Sequence, residues 1–443
     1  MRLHIGIDDT DSTKGGCTTY IAALLVETFS KMRMRFTDYP NIIRLNPNIP
    51  FKTRGNAAVA LRLEVPAAEY DTVREISIQT LEEGSEVGED GTDPAIVLMP
   101  GKPPSAVARL SRKALTEIVP VREAVRTLRN SSGSAVSYGS GLGLVGALAA
   151  VGDTLVGDHT YELIAYRCRR NLRKPRLVDE DSVIRMDWLT SPSTFNNYDA
   201  ENRRVLIKPH GPDPVLVGVR GETPLAVRSA FRLLRLQEPV ERWVIFRTNH
   251  GTEAHLVAKP SPALRANYPV VLHGTVHGWP NRISGGHVFI DLLASGRLVR
   301  CAAFEPTGRF KEVVAKLIPG DRVTVFGGVK RRVIEDRGSL TVNLEKLIIE
   351  RLGEDMVAEN PVCPRCGKRM KSAGRGQGFR CPRCKYSSPE GSKQFHRRRR
   401  DILPGLYIPD KRAHRHLTKP YSRYGFENRR WDGKPPTGTW HRP

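Results

Sequence analysis

Apolar and polar residues sort this chain into segments before any single motif is read. Leu3 to Ile7 ("LHIGI") is an apolar run that predicts a strand, and a polar loop, "DDTDSTKGGC", follows it at once. From Thr18, apolar positions at Ile21, Leu24, Leu25, Phe29 and Met32 recur at steps of three and four and predict a helix. After a turn over Thr53–Asn56, "NAAVALRLEV" alternates as a second strand. "AEYDTVREISIQTLEEG" predicts a helix closed by Gly84, and "PAIVLMP" a short buried strand between Pro94 and Pro100. Two helices broken at Pro120 complete a block that alternates strand and helix, the signature of α/β architecture.

The middle of the chain has a different rhythm. "TYELIAYR", "SVIRMDWL", "PVLVGVRG" and "RWVIFRTN" predict strands, and "PLAVRSAFRLLRLQ" a helix, which suits an α+β, ferredoxin-like unit. From residue 266, about five short strands are separated by Gly, Pro and Asp turns, with a helix, "GRFKEVVAKLIPG", before the fourth. That order predicts the Greek-key barrel called the OB-fold. Paired cysteines and a polar, Arg- and Pro-rich stretch follow. The expected division is 1–130, 131–265, 266–352 and 353–443, with no internal repeat.

Length and charge narrow the classes. A chain of 443 residues is long for one domain and suits about three. It lacks a run of about 18 apolar residues, so no transmembrane helix and no membrane partner are expected. Seven cysteines, four of them in two CPRC pairs, point to a reducing cytoplasm and not to a secreted disulfide framework. The formal net charge is +23, and the excess is uneven, with 22 Lys and Arg against 5 Asp and Glu after residue 360. Such a stretch predicts a nucleic-acid partner, the plainer reading being a solvated basic tail.

Four segments carry candidate chemistry. Cys363-x-x-Cys366 and Cys381-x-x-Cys384 have the spacing of a closed four-thiolate zinc ribbon, a structural site. Asp8, Asp9 and Asp11 offer the hard oxygens that Mg²⁺ takes alongside substrate phosphates. Lys14 can meet a phosphate, Gly15 and Gly16 let backbone amides approach one, and the following helix aims its positive end there. Thr18 places a hydroxyl at that helix start, where it could also serve as N-cap. Lys14 precedes the glycines, so this is no Walker A loop, and an ordinary charged turn stays open. The Gly-rich Ser137–Ala147, with Gly141 and Gly143, suits either close packing or nucleotide binding. Phe195–Asp199 ("FNNYD") is a turn or a polar site, and Arg247–Leu256 sets polar groups at a strand end. His414–Gly425 interleaves His, Tyr and basic residues as RNA contacts do, or as a disordered tail does.

"GIDDTDSTKGGCTTY", "GLGLVGA", "FNNYD", "RTNHGTEAHL", an OB-like barrel, a zinc ribbon and "AHRHLTKP" occur in that order. Together they resemble the archaeal tRNA(Ile) 2-agmatinylcytidine synthetase family over essentially the whole chain. The resemblance implies a kinase-like N-terminal domain, a ferredoxin-like domain, an OB-fold and a zinc ribbon. It implies ATP-driven attachment of agmatine to C2 of the wobble cytidine in the CAU anticodon of isoleucine tRNA, so that the tRNA decodes AUA. ATP would go to AMP and two phosphates, with O2 of the cytidine phosphorylated before the amine of agmatine attacks. On that reading Asp8, Asp9 and Asp11 hold Mg²⁺, and Gly15, Gly16, Cys17, Thr19, Gly141 and Gly143 lie at the ATP phosphates. Thr18 matches the family threonine that becomes phosphorylated. Glu162, Asn196 and Asp199 would receive agmatine, whose guanidinium needs a carboxylate. Arg247, His250, His255, Arg415, His416 and Lys419 would meet the RNA, whose target base must leave its stack. Two other classes fit parts of the chain: a non-catalytic nucleic-acid-binding protein and a small-molecule kinase. ATP use dependent on both tRNA and agmatine separates the first reading from both.

Overall fold

The computed structural model describes residues 1–52, 55–258, 264–331, 339–428 and 435–443. The expected Thr53–Asn56 turn therefore lies partly outside the described residues. The first unit contains β1 (Arg2–Asp8), α1 (Thr18–Lys31), β2 (Asn41–Arg44), β3 (Ala57–Glu64), α2 (Tyr70–Gly84), β4 (Ala95–Pro100), α3 (Ser105–Thr116) and α4 (Val121–Arg129). It continues into β5 (Ser134–Ser137) and α5 (Leu142–Gly152), because β5 pairs with β4 and α5 packs on β1. A division at residue 130 cuts ahead of both. The helix approaches that closely because a Cβ at Gly143 would overlap the Asp93 carbonyl, and one at Gly146 the Asp8 carboxylate.

The second unit is β6 (Thr160–Arg167), α6 (Glu180–Thr190), β7 (Thr194–Phe195), β8 (Val215–Gly221), α7 (Pro224–Leu233) and β9 (Val240–Thr248). Its strand order, β9-β6-β8-β7, is that of the ferredoxin-like fold. The segment "SVIRMDWL" is α6 and not the expected strand. Asp179 caps it by accepting from the Ser182 amide at 2.7 Å, and Val183 and Met186 bury one face. Both units share one sheet, ordered β5-β4-β1-β3-β2-β9-β6-β8-β7. The join is a short parallel pairing of Arg247 with Asn41 and Thr248 with Ile42. On its faces Ile21, Leu25 and Phe29 of α1 pack against Ile5, Ile7 and Leu61, each worth about 1.5–3 kcal/mol in burial.

The third unit is the expected barrel: β10 (Pro269–Arg282), β11 (Val288–Ala294), β12 (Arg297–Ala303), α8 (Arg309–Ala315), β13 (Arg322–Arg331) and β14 (Leu340–Arg351). Parallel pairing of Arg300 with Thr341 closes it, and α8 precedes the fourth strand. Three two-residue strands then frame the cysteines. The C-terminal stretch folds back through the molecule. Gly405–Tyr407 pairs with β14, Arg423 is buried in the second unit, and His441–Arg442 pairs with Trp243 and Val244 of β9.

Candidate active site

The acidic loop leaves β1 at the bottom of a cavity. Ser12 Oγ accepts from the amides of Lys14 at 3.0 Å and Gly15 at 3.3 Å, and the Ser12 amide donates to the Gly15 carbonyl. Gly16 sits at φ 75°, where a Cβ would run into the Thr10 carbonyl. Asp8, Asp9 and Asp11 face one space. Burial first and the neighbouring Asp9 charge second hold the Asp8 carboxyl well above the usual carboxylate range. Burial pushes Asp9 up to about 6, with the like charges of Asp11 and Asp93 adding to it, although the Asp93 amide donates to it at 3.2 Å. Carboxylates driven that far from ionisation fit a divalent cation, which supplies the missing opposite charge, and the all-oxygen donor set suits Mg²⁺.

The remaining walls of this cavity are largely apolar, among them Leu45, Ile49, Phe51, Val119, Leu142 and Val145. Lys52 stands at the rim. Burial, then the charges of Arg415 and Lys330, lower its pKa to about 8. Gly141, at φ 79°, is the N-cap of α5, whose first turn lines the space through Leu142 and Val145. Gly143 serves close packing against the Asp93 backbone. Lys14 does not face the cavity; it is exposed and pairs with Glu89 at 2.6 Å.

A second cavity meets the first at Asp11, Gly55 and Ala57, and Cys17, Thr18 and Thr19 line it. Cys17, not Thr18, is the N-cap of α1, and it caps without a side-chain bond. The Thr18 hydroxyl lies 3.0 Å from that of Thr10 instead. Opposite are Arg44, Glu162, Arg220, His250, Arg415 and His416. Glu162 Oε1 accepts from Arg220 Nε at 2.9 Å, and Arg44 lies 3.5 Å from Oε2. Burial and the charges of Arg220, His416 and Arg44 hold the His250 imidazole well below its ordinary pKa. For His416 the Arg44 charge comes first and burial second.

Other expected contacts are sealed inside the fold. Arg247 is fully buried, pairing with Asp38 at 2.6 Å and donating to the Thr154 carbonyl, so it is no surface for RNA. Fully buried His255 meets Glu345 of β14 at 2.9 Å. Arg415 bonds Asn48 and the same Glu345 while reaching the cavity wall. Lys419 is spent on Glu427 at 2.6 Å and lies over the Tyr424 ring. Asp199 accepts from Asn202 Nδ2 at 2.8 Å and lines a neighbouring cavity, which Asn196 shares with the Thr18 cavity. Arg415 and Lys419 find these partners because the C-terminal stretch returns into the fold. Arg44, Arg220 and Lys52 were not singled out from the sequence. Arg44 and Arg220 carried one signal, a lone charge in an apolar strand.

Cys363, Cys366, Cys381 and Cys384 bring four sulfurs within 4.8 Å of one another, with 3.5 Å between Cys363 and Cys384 and between Cys366 and Cys381. Sulfurs about 2.3 Å from a tetrahedral Zn²⁺ stand about 3.8 Å apart, so the set fits a structural zinc. Among the described residues no helix is long and apolar enough to cross a membrane.

Profiles of known families match this chain in sequence order. The TiaS TCKD domain matches residues 4–140, the TiaS FLD domain 141–255, an OB-fold nucleic acid binding domain 270–350, and the TiaS C-terminal zinc ribbon domain 360–402. The isoleucine-tRNA 2-agmatinylcytidine synthetase TiaS of Archaeoglobus fulgidus is 40% identical over 432 residues, covering 97% of this chain and 99% of that protein. Its counterpart in Pyrococcus horikoshii is 40% identical, covering 95% and 97%. Among solved structures, a complex of TiaS with isoleucine tRNA and ATP superposes with TM-score 0.87 at 38% identity over 96% of this chain and 97% of that one. A complex of TiaS with isoleucine tRNA, AMPCPP and agmatine does so with TM-score 0.84 at 36% identity, over 96% and 97%. Sharing domain order, two-fifths of its residues and its full-length fold with these proteins, the chain belongs to the TiaS family.

Proposed function

We propose that this protein is an ATP-dependent ligase that joins agmatine to C2 of the wobble cytidine in the CAU anticodon of isoleucine tRNA. One observation carries the reading: a cavity floored by strained carboxylates opens into one walled by Thr18, and both lie in a chain that matches isoleucine-tRNA 2-agmatinylcytidine synthetases along its length. The apolar walls around Phe51 suit a nucleobase, and Lys52 suits its phosphates. Asp8, Asp9 and Asp11 would hold Mg²⁺, which when bound neutralises phosphate charge. Thr18 offers its hydroxyl on the wall of the second cavity, which meets the first at Asp11. Transfer of an ATP-derived phosphoryl group to O2, with cleavage of its P–O bond to the rest of the phosphate chain, turns that oxygen into a leaving group. The amine of agmatine then bonds to C2 and loses a proton as phosphate departs with O2. Asp199 and Asn196 flank a cavity suited to the guanidinium. Glu162 is less suited, because two arginines already neutralise it. The reaction belongs in the cytoplasm, with its tRNA.

A non-catalytic RNA-binding protein would have no use for buried acids held away from ionisation, and a small-molecule kinase none for barrel and ribbon. The test is mass analysis of the wobble nucleoside after incubating the protein with the tRNA transcript, ATP and agmatine. The nucleoside gains the mass of agmatine less one water, and ATP falls only when both partners are present. An unchanged nucleoside overturns the proposal.

A further inference from the structure

We propose that Glu162 and His250 form an edge that reads the target base, accepting a cytosine and turning away a uracil. This rests on the ligase reading of the cavity beside Thr18, which both residues line. Glu162 is 2% exposed and His250 3%. Glu162 Oε1 accepts from Arg220 Nε, while Oε2 has only the looser 3.5 Å ion pair with Arg44, and His250 Nδ1 has no hydrogen-bond partner. The two atoms stand 3.7 Å apart. Buried polar atoms without partners are uncommon and costly, and such a nitrogen beside a carboxylate oxygen held only by a long ion pair, on a cavity wall, marks a place that a ligand completes.

The backbone at His250 is fixed, its amide donating to Thr248 Oγ1 at 3.2 Å and its carbonyl accepting from Thr160 Oγ1 at 2.9 Å. Burial, with the charges of Arg220, His416 and Arg44 beside it, keeps the imidazole neutral. A neutral imidazole carries one N–H, so Nδ1 can donate. The edge then sets an acceptor, Glu162 Oε2, next to a donor, His250 Nδ1. Cytosine is the complement, with its N4 amino donor beside its N3 acceptor. Uracil reverses both, placing a carbonyl against the carboxylate and an N–H against the N–H. Pairing through N4 and N3 leaves C2 outside the bonded pair, where the proposed chemistry falls. The two arginines beside Glu162 disfavour a third cation there but not a neutral amine.

Two transcripts that differ only in the wobble base, C or U, test this with the full-length protein, ATP and agmatine. The ratio of kcat/KM for C over U is measured for wild type, Glu162→Gln and His250→Gln. An amide at either position can turn to serve uracil, so the ratio falls at least about tenfold in each variant, within the range one two-bond contact confers. KM for agmatine stays within about twofold of wild type. A ratio unchanged in both variants overturns the inference, and a raised agmatine KM with that result assigns Glu162 to the guanidinium. His250→Gln breaks no ion pair of the neutral imidazole, so it carries the test if Glu162→Gln melts early. Failure of wild type to modify the C transcript refutes the ligase reading instead.

Discussion

At the scale of the residue, the acidic loop carries a cost in stability for which the proposed chemistry gives a reason. Asp8 is buried beside Asp9 and raised far above its ordinary pKa, so Asp8→Asn removes a repulsion that the fold otherwise endures. The variant should unfold later by on the order of 1 kcal/mol in metal-free buffer, seen as a rise of a few degrees by calorimetry. It should lose ATP consumption while keeping tRNA affinity; wild-type turnover in the variant would remove Asp8 from the site. Lys52 adds a pH signature. Its folded pKa, about 8, is below the ordinary 10.5, so the charged form is disfavoured by folding, and stability rises as pH climbs through 8. Nucleotide binding runs the other way, because the cation is lost: KM for ATP should rise between pH 7 and 9, and Lys52→Arg should flatten that rise. The carboxylates and Thr18 were legible in the sequence, because hard oxygens, glycines and a helix-leading hydroxyl fall within eleven positions. Arg247 was not legible as an interior residue, because its partner Asp38 lies 209 positions away.

At the scale of the element, periodicity disclosed most strands and helices, since a half-buried strand and an amphipathic helix each leave their own repeat. It failed at α6, where "SVIRMDWL" alternates over a few residues and the deciding signal is the Asp179–Ser182 cap just before it. The Gly-rich stretch was open between packing and nucleotide binding because both need the same bare backbone. In α5 Gly143 packs against the chain leading into β4, while the first helical turn faces the acidic cavity. Gly143→Ala should therefore destabilise by about 1–3 kcal/mol, the range for overpacking, and weaken ATP binding with it. A melt unchanged from wild type would show that α5 can shift freely.

At the scale of the whole molecule, several charges of the basic C-terminal stretch are engaged inside the fold. Composition predicted polyanion binding but could not reveal how many of those charges hold the domains together. Arg423 joins Glu222 at 2.7 Å and Asp158 at 2.8 Å and donates to the Gly251 carbonyl, while Arg400 and Arg415 serve Asp321 and Glu345. Arg423→Ala leaves those largely buried acids with the Asn428 amides and a 3.7 Å contact from Lys419 but without their main counter-charge, and should cost about 3 kcal/mol in denaturant unfolding. A surface role alone would leave the unfolding midpoint in place and shift only the salt dependence of tRNA binding.

The return of the C-terminal stretch also bears on how the protein is made. Arg415 and His416 line the same space as Asp11 and Thr18, so one wall is missing until some four hundred residues have left the ribosome. Chains emerge at about 5–20 residues per second and fold from the N-terminus, so a nascent first unit spends tens of seconds unable to enclose a substrate. On the proposed function, translation itself would act as a timer, and a product released before Arg415 should be idle.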